Sequence, residues 1–272
     1  MSKRGVIKMI AFLTDWGNSH YVGIAKGVIK KISPNSEIVD ITHHIKKFSA
    51  RMAMHILERV VDDFPKNTVF LCVVDYGVGT ERKPIAFETE NELKFVGPDN
   101  GIFTLILKKH GLKNAVSLEN EKYFYRNPPS DTFHGRDIFA PVAAHLDSGI
   151  GIEEFGRSLS SLKVLNVEEA RIVGDRIEGE VAFTDHFGNI ETNIPFDMVE
   201  VLMEGKTDKL KLEIPANGRS FELSVLKTYA YARRDEIILH RDSSGYVEIA
   251  MNMRSAEEYM DLHGGEKVVL KR

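Results

Sequence analysis

The chain has 272 residues, 43% of them hydrophobic and 28% charged, with a formal net charge of −4. That length has room for two domains; the charge lacks the basic surplus of a nucleic-acid or membrane-surface binder, and no uncharged run is long enough to span a bilayer. The lone Cys72 precludes a disulfide framework and suits a reducing compartment, so the expected location is cytoplasmic.

Basic residues precede the first apolar run, but Lys8 interrupts it and no small-residue cleavage site follows, so Val6–Leu13 reads as a core strand rather than a leader. It ends at Thr14-Asp15-Trp16-Gly17, which places a carboxylate at a strand end. Tyr21–Ile32 carries apolar residues at helical spacing and is stopped by Pro34. Glu37–Ile41 reads as a short strand leading into Thr42-His43-His44, and Ser49 as the cap of a helix running to about Asp63.

Phe70–Arg82, FLCVVDYGVGTER, is the central stretch. Its five apolar residues suit a strand covered on both faces, delivering Asp75 to a loop where Gly77 and Gly79 permit a sharp turn and close approach to a ligand. Arg82 can fold back across that loop toward Asp75. Ile85–Glu88 and Leu93–Val96 pair as a hairpin, Gly97–Gly101 forms a loop, and Ile102–Lys109 and Ile138–Leu146 read as helices. Between those two helices lies Asp131-Thr132-Phe133-His134-Gly135-Arg136-Asp137. Alternating strands and helices predict an α/β domain with a mostly parallel sheet over residues 1–165.

From Glu168 onward short strands and tight turns take over: Arg171–Val173, Glu178–Thr184, Lys209–Ile214, Phe221–Leu226, Glu236–His240, Tyr246–Met251 and Lys267–Leu270. Asn217-Gly218 and Ser244-Gly245 are hairpin signals. The second domain, residues 166–272, is expected to be a small antiparallel β-barrel.

Four constellations can carry chemistry: Asp15 with Trp16; Asp75 with Arg82; His134 with Arg136 and Asp137; and Asp185-His186-Phe187-Gly188-Asn189. None of the histidines or acids shows the spacing that makes a metal site specific, so no metal is expected. Gly77-Val78-Gly79-Thr80 lacks the full dinucleotide-loop spacing, and there is no phosphate loop. If an adenosine binds, Asp15 can accept its ribose hydroxyls, and Trp16, Phe48 or Phe133 can stack on its purine.

The ordered blocks TDWG, DITHHIKKF, VVDYGVGTERKPI, FVGPDNGIF, DTFHGRDIFAPVAAHL, DHFGNIETNI and SSGYVEIAMN resemble the S-adenosylmethionine (SAM) hydroxide adenosyltransferase family, relatives of the fluorinase and chlorinase. The resemblance covers nearly the whole chain. It implies an N-terminal α/β domain, a C-terminal β-barrel, and cleavage of SAM by water into adenosine and methionine. It also implies a homotrimer with sites between subunits, and no cofactor beyond the substrate. Block by block, it puts the catalytic set on Asp75, Arg82 and His134, the ribose carboxylate on Asp15 and the adenine-stacking ring on Phe48. The methionine end falls to Asp185, Asn189 and Ser243, and the adenine edge to backbone near Met253. Three departures stand out: Tyr76 where the family's loop usually has proline, Phe48 for the fluorinase's tryptophan, and Gly135 where the fluorinase has a halide-binding serine. The last favours water over halide.

A sulfonium substrate expels a neutral thioether, so displacement at the ribose C5′ needs no general acid, only a positioned and activated water. Asp75 is the candidate to hold that water and accept its proton, with Arg82 holding Asp75; His134 either orients the water or relays the proton. The alternatives are a halide adenosyltransferase, a metal-dependent hydrolase and a non-catalytic adenosyl-ligand sensor.

Overall fold

The computed structural model describes residues 8–205 and 208–272. The chain divides into two compact units, one ending at Leu165 and the other beginning at Asn166.

The first unit is built on a six-stranded sheet, in the order β2 (Glu37–Thr42), β1 (Met9–Thr14), β3 (Val69–Val73), β5 (Lys94–Pro98), β4 (Pro84–Glu88), β6 (Asn114–Ser117). β2, β1, β3 and β5 run parallel; β4 is antiparallel to both its neighbours, β5 and β6, because it forms the expected hairpin with β5. Val6 and Ile7, placed in the first strand by the sequence pattern, lie outside the described residues.

Burial follows from the pleat. Ile10, Phe12, Leu71, Val73 and Val96 face one core, together with α1 (His20–Ile32) and α4 (Ala140–Asp147). Ala11, Leu13, Phe70, Cys72 and Phe95 face the other, with α2 (Ala50–Val60) and α3 (Thr104–His110). Every residue of β3 is buried, as its unbroken apolar run requires. Ser19 and Ser49 cap α1 and α2, accepting from Tyr21 N and Met52 N. α2 continues into a 3₁₀ turn, Val61–Asp63, so the chain leaves helical geometry where the pattern places its end.

The second unit is a closed barrel of seven strands. Its order is β14 (Lys267–Lys271), β10 (Lys209–Ile214), β11 (Arg219–Val225), β12 (Ile237–Arg241), β13 (Tyr246–Met251), β9 (Ile190–Pro195), β8 (Arg176–Thr184), closed by β14 on β8, with β7 (Arg171–Val173) added to β8. The Asn217-Gly218 and Ser244-Gly245 turns join β10 to β11 and β12 to β13 as antiparallel hairpins. β11 and β12 pair parallel within an otherwise antiparallel barrel, because the connection between them carries the chain back to the starting end through a 3₁₀ turn at Tyr229–Tyr231. Two helices beyond the expected strands, α5 (Phe196–Met203) and α6 (Ala256–Met260), pack Val199, Leu202, Ala256 and Met260 into the barrel's core cluster. Among the described residues no helix is long and apolar enough to cross a membrane.

Candidate active site

Strand register places two carboxylates side by side. Thr14 at the end of β1 pairs with Val73 at the end of β3, so Asp15 and Asp75 emerge from neighbouring parallel strands at the carboxyl edge of the sheet, where open α/β sheets gather ligands. Beyond Asp75 the loop turns through Gly79 at φ +76°, and a Cβ there would stand 2.6 Å from the Asp131 carbonyl oxygen. Glycine therefore lets the loop lie against the segment that carries His134.

Arg82 returns to Asp75 as a fork. Its Nε donates to Asp75 Oδ1 at 2.7 Å and its Nη2 donates to Asp75 Oδ2, and the two side chains are 9% and 7% exposed. The guanidinium stacks over Phe139, 5.1 Å from the ring centre. Its Nη1 is buried without a hydrogen-bond partner among the described residues. Behind the loop, Asn100 Nδ2 donates to the Val74 carbonyl at 2.8 Å and fixes the strand end that delivers Asp75. Asn100 is a supporting residue that the sequence shows only as part of a ligand-approaching loop.

His134 immediately precedes a π-helical turn, Gly135–Phe139, that leads into α4; π turns inside helices frequently mark functional sites. Its Nδ1 lies 3.0 Å from Arg82 Nη2. A guanidinium only donates, so Nδ1 is the acceptor and the proton of the neutral ring is on Nε2. Burial, reinforced by the Arg82 charge, holds the His134 pKa below its ordinary 6.5. His134 thus offers an N–H, and its one basic nitrogen is occupied by Arg82.

Asp137, grouped with His134 by sequence, is fully buried. Arg136 Nε and Nη2 each donate to it at 2.7 Å and Ser130 N at 2.9 Å. Burial alone would raise its pKa; these donors outweigh burial and hold it below 3.8. Asp137 and Arg136 build the loop that presents His134.

On the other side of Asp75, Asp15 Oδ2 accepts from Phe48 N at 3.0 Å. Burial, with a further contribution from the nearby Asp75 charge, raises the Asp15 pKa above 3.8. Phe48 sits at φ +66° and is 68% exposed. Phe133 is set differently. Its ring meets Trp16 and Tyr21 edge to face at 5.6 and 4.9 Å, and Arg136 lies over it at 5.1 Å. Trp16 also backs onto Gly135, where a Cβ would fall 2.6 Å from its Cη2 and Cζ2. The indole fills the space that a side chain at position 135 would need.

The second unit holds the other candidates. Asp185 Oδ1 accepts from Phe187 N and Asn189 N, both at 2.8 Å, and its Oδ2 accepts from Asn189 Nδ2 at 3.0 Å. The first task of this pair is to shape the β8–β9 loop. Asn189, Phe187, Tyr229, Met251, Met253 and Arg254 line a pocket of about 470 Å³, with Met253 at φ +64° and 84% exposed. Ser243 does not join them. β13 starts opposite the end of β9 (Tyr246 with Pro195) and runs back toward its start (Ile249 with Ile190). The β12–β13 turn carrying Ser243 is therefore at the far end of the strand pair, on the order of 15–20 Å away at the rise of a β-strand. Asp185, Asn189 and Ser243 do not form one cluster, and any ligand reaching both ends must lie along β13. Among the described residues no three His, Cys, Asp or Glu side chains converge as a metal-ligand set.

Comparison with known proteins gives a consistent picture. The family model for the SAM hydroxide adenosyltransferase N-terminal domain matches residues 10–156, and that for the SAM hydroxide adenosyltransferase C-terminal domain matches residues 179–269. A Methanocaldococcus jannaschii protein named (R)-S-adenosyl-L-methionine hydrolase is 32% identical over 265 residues, spanning 94% of this chain and 93% of that protein. A Nocardia brasiliensis protein named fluorinase is 27% identical over 291 residues, spanning 97% of this chain and 96% of that protein. The crystal structure of an uncharacterized conserved protein from Thermotoga maritima superimposes with a TM-score of 0.91 at 45% identity, covering 97% of this chain and all 100% of that one.

Proposed function

The chain belongs to the SAM hydroxide adenosyltransferase family and is an enzyme that hydrolyses SAM; we propose that water attacks the ribose C5′ and that Asp75, Arg82 and His134 carry the reaction. The observation behind this reading is the forked Arg82–Asp75 pair touching His134, one strand away from Asp15 at the sheet's carboxyl edge.

The chemistry follows from the donors and acceptors. Breaking the C5′–S bond releases neutral methionine thioether, so the enzyme has to place an oxygen in line with that bond and take up one proton. Asp75 retains lone pairs beyond the two engaged by Arg82 and accepts that proton from the water. Arg82 Nη1 and His134 Nε2–H are donors that orient the water's oxygen. Holding the reactants in line is worth more here than basicity, since well-oriented reactions gain about 7–11 kcal/mol, against the 10²–10⁴-fold typical of a positioned base. Asp15 takes the ribose hydroxyls and Phe48 stacks on the adenine. Asn189 and backbone near Met253 meet the adenine edge, and Ser243, at the other end of β13, meets the methionine. No cofactor is required.

A homotrimer with sites shared between subunits is part of the proposal, as is a cytoplasmic location. The exposed rings and side chains of Phe48, Phe187 and Met253 support the former, and the buried free Cys72 fits the latter. Light scattering paired with activity tests the assembly; a fully active monomer would refute the shared site.

The direct test is chromatography after incubating the purified protein with SAM of each sulfonium configuration, with and without a chelator and chloride. Equal amounts of adenosine and methionine, indifferent to both additives, are expected. A chlorinated nucleoside, or SAM returned intact, would overturn the assignment.

A further inference from the structure

We infer that His43 is a positioning residue that holds Asp15 in place through Thr14, an inference that rests on the reading of Asp15 as the ribose-binding carboxylate. His43 follows β2, the outer neighbour of β1, and grips the segment carrying Asp15 at two points. Its carbonyl accepts from Gly17 N at 2.7 Å, and its Nδ1 lies 2.9 Å from Thr14 Oγ1. Thr14 is fully buried, and its Oγ1 also accepts from Trp16 N at 3.2 Å. The far nitrogen of His43, Nε2, lies 3.2 Å from Asp40 Oδ1, and Asp40 is anchored by Lys26 Nζ at 2.6 Å.

Proton placement makes these contacts a chain with one direction. The Asp40 carboxylate, an ion-pair contact of Nε2 rather than an aligned hydrogen bond, favours a proton on Nε2 and leaves Nδ1 to accept from the Thr14 hydroxyl, which in turn accepts from Trp16 N. The imidazole packs edge-on against Phe12 with centroids 4.9 Å apart, so the ring does not pivot freely. Trp16, the residue after Asp15, is thus held by a hydrogen bond to the hydroxyl of Thr14, the residue before it, and that hydroxyl is fixed by His43. Thr14 O also accepts from Ile45 N at 3.3 Å, tying the same strand end to the loop that leads to Phe48, whose N–H holds Asp15. His43 touches no reacting atom. Its effect is on how well Asp15 is pre-aimed, and so on binding rather than on the chemical step.

The test uses the full-length enzyme and reads KM and kcat for SAM alongside adenosine affinity by calorimetry. Thr14→Val removes the hydroxyl at constant shape; it should raise KM and the adenosine Kd about tenfold while kcat stays within threefold. Thr14→Ser, which keeps the hydroxyl, should restore both to within twofold. His43→Gln, which loses the Nδ1 contact, should match Thr14→Val, and the double variant should cost no more than the worse single one; this arm also carries the test if Thr14→Val does not fold. Unchanged KM in folded Thr14→Val or His43→Gln, equal losses in kcat, or additive effects would overturn the inference. Asp15→Ala run in parallel separates the two levels. If it weakens adenosine binding while Thr14→Val does not, only the role of His43 falls; if it too leaves binding unchanged, the reading of Asp15 falls with it.

Discussion

Replacing Asp75 by asparagine separates what the Arg82–Asp75 pair does for folding from what it does for catalysis. Both side chains are more than nine-tenths buried and joined by two hydrogen bonds. Asparagine keeps one carbonyl acceptor but leaves the Arg82 charge uncompensated. Breaking a buried pair from one side costs about 3–5 kcal/mol, which at about 2–4 °C per kcal/mol for a domain of this size lowers Tm by roughly 10 °C. Activity should fall by at least ~10²-fold, the loss expected of a missing base and water anchor. A companion variant, Asp75→Leu with Arg82→Met, removes both charges and fills their space; its stability should return to within about 1 kcal/mol of wild type, since buried pairs replaced by apolar residues are often neutral, yet it should stay inactive. Calorimetric melting and chromatographic rates on the same preparations give both numbers. An Asp75→Asn enzyme within tenfold of wild-type activity, or an active double variant, would refute the reasoning.

Asp15→Ala should weaken adenosine binding by roughly 1.5–3 kcal/mol, the range for a hydrogen bond to a charged group. Because the Asp15 pKa is raised above 3.8, the ionised form is lost as pH falls through that higher value, and calorimetry should show wild-type affinity declining earlier than for an ordinary aspartate. His55, buried in α2 with its Nε2 unpartnered among the described residues and its pKa lowered by burial from 6.5 to about 3, predicts an acid limb in stability. Between about pH 6.5 and about 3 the unfolded chain binds a proton that the folded chain refuses, so stability falls with pH by up to about 1.4 kcal/mol per unit; His55→Leu should flatten that limb in denaturant titrations at pH 7, 5 and 4. Gly135→Ser should be inactive or poorly folded because its Cβ meets the Trp16 ring, and a second change, Trp16→Leu, should recover folding as read by Tm.

How much was legible in the sequence depended on whether local pattern and tertiary packing agreed. β3 and the Asp75-to-Arg82 turn were legible because a buried parallel strand must be apolar throughout and the following glycines are needed for the return. α1 and α2 were legible from their spacing and their serine caps. β9 was not, because Glu191 and Thr192 are buried inside it and polar letters mask a strand; only the fold shows that the Thr192 hydroxyl is satisfied by the Val247 carbonyl at 2.8 Å. The π turn before α4 leaves no periodic trace, so the pattern starts that helix at Ile138 while helical geometry begins at Gly135. Asp137 looks like a candidate acid in a string of functional residues, and its bidentate partner is the adjacent arginine. Ser243 and Asp185 were grouped by resemblance, and only strand register reveals that they stand at opposite ends of β13.

The central claim is that water attacks the ribose carbon directly. The competing route is attack by Asp75 itself, giving an ester that water then opens at the acyl carbon. Cys72 is no rival, since it is fully buried in β3 and burial pushes its thiol pKa far above the ordinary value. With enzyme in excess over SAM in ¹⁸O-labelled water, mass spectrometry of adenosine from the first turnover decides between the two. Direct attack predicts label in the 5′-hydroxyl; unlabelled adenosine, its oxygen taken from the Asp75 carboxylate, would contradict it.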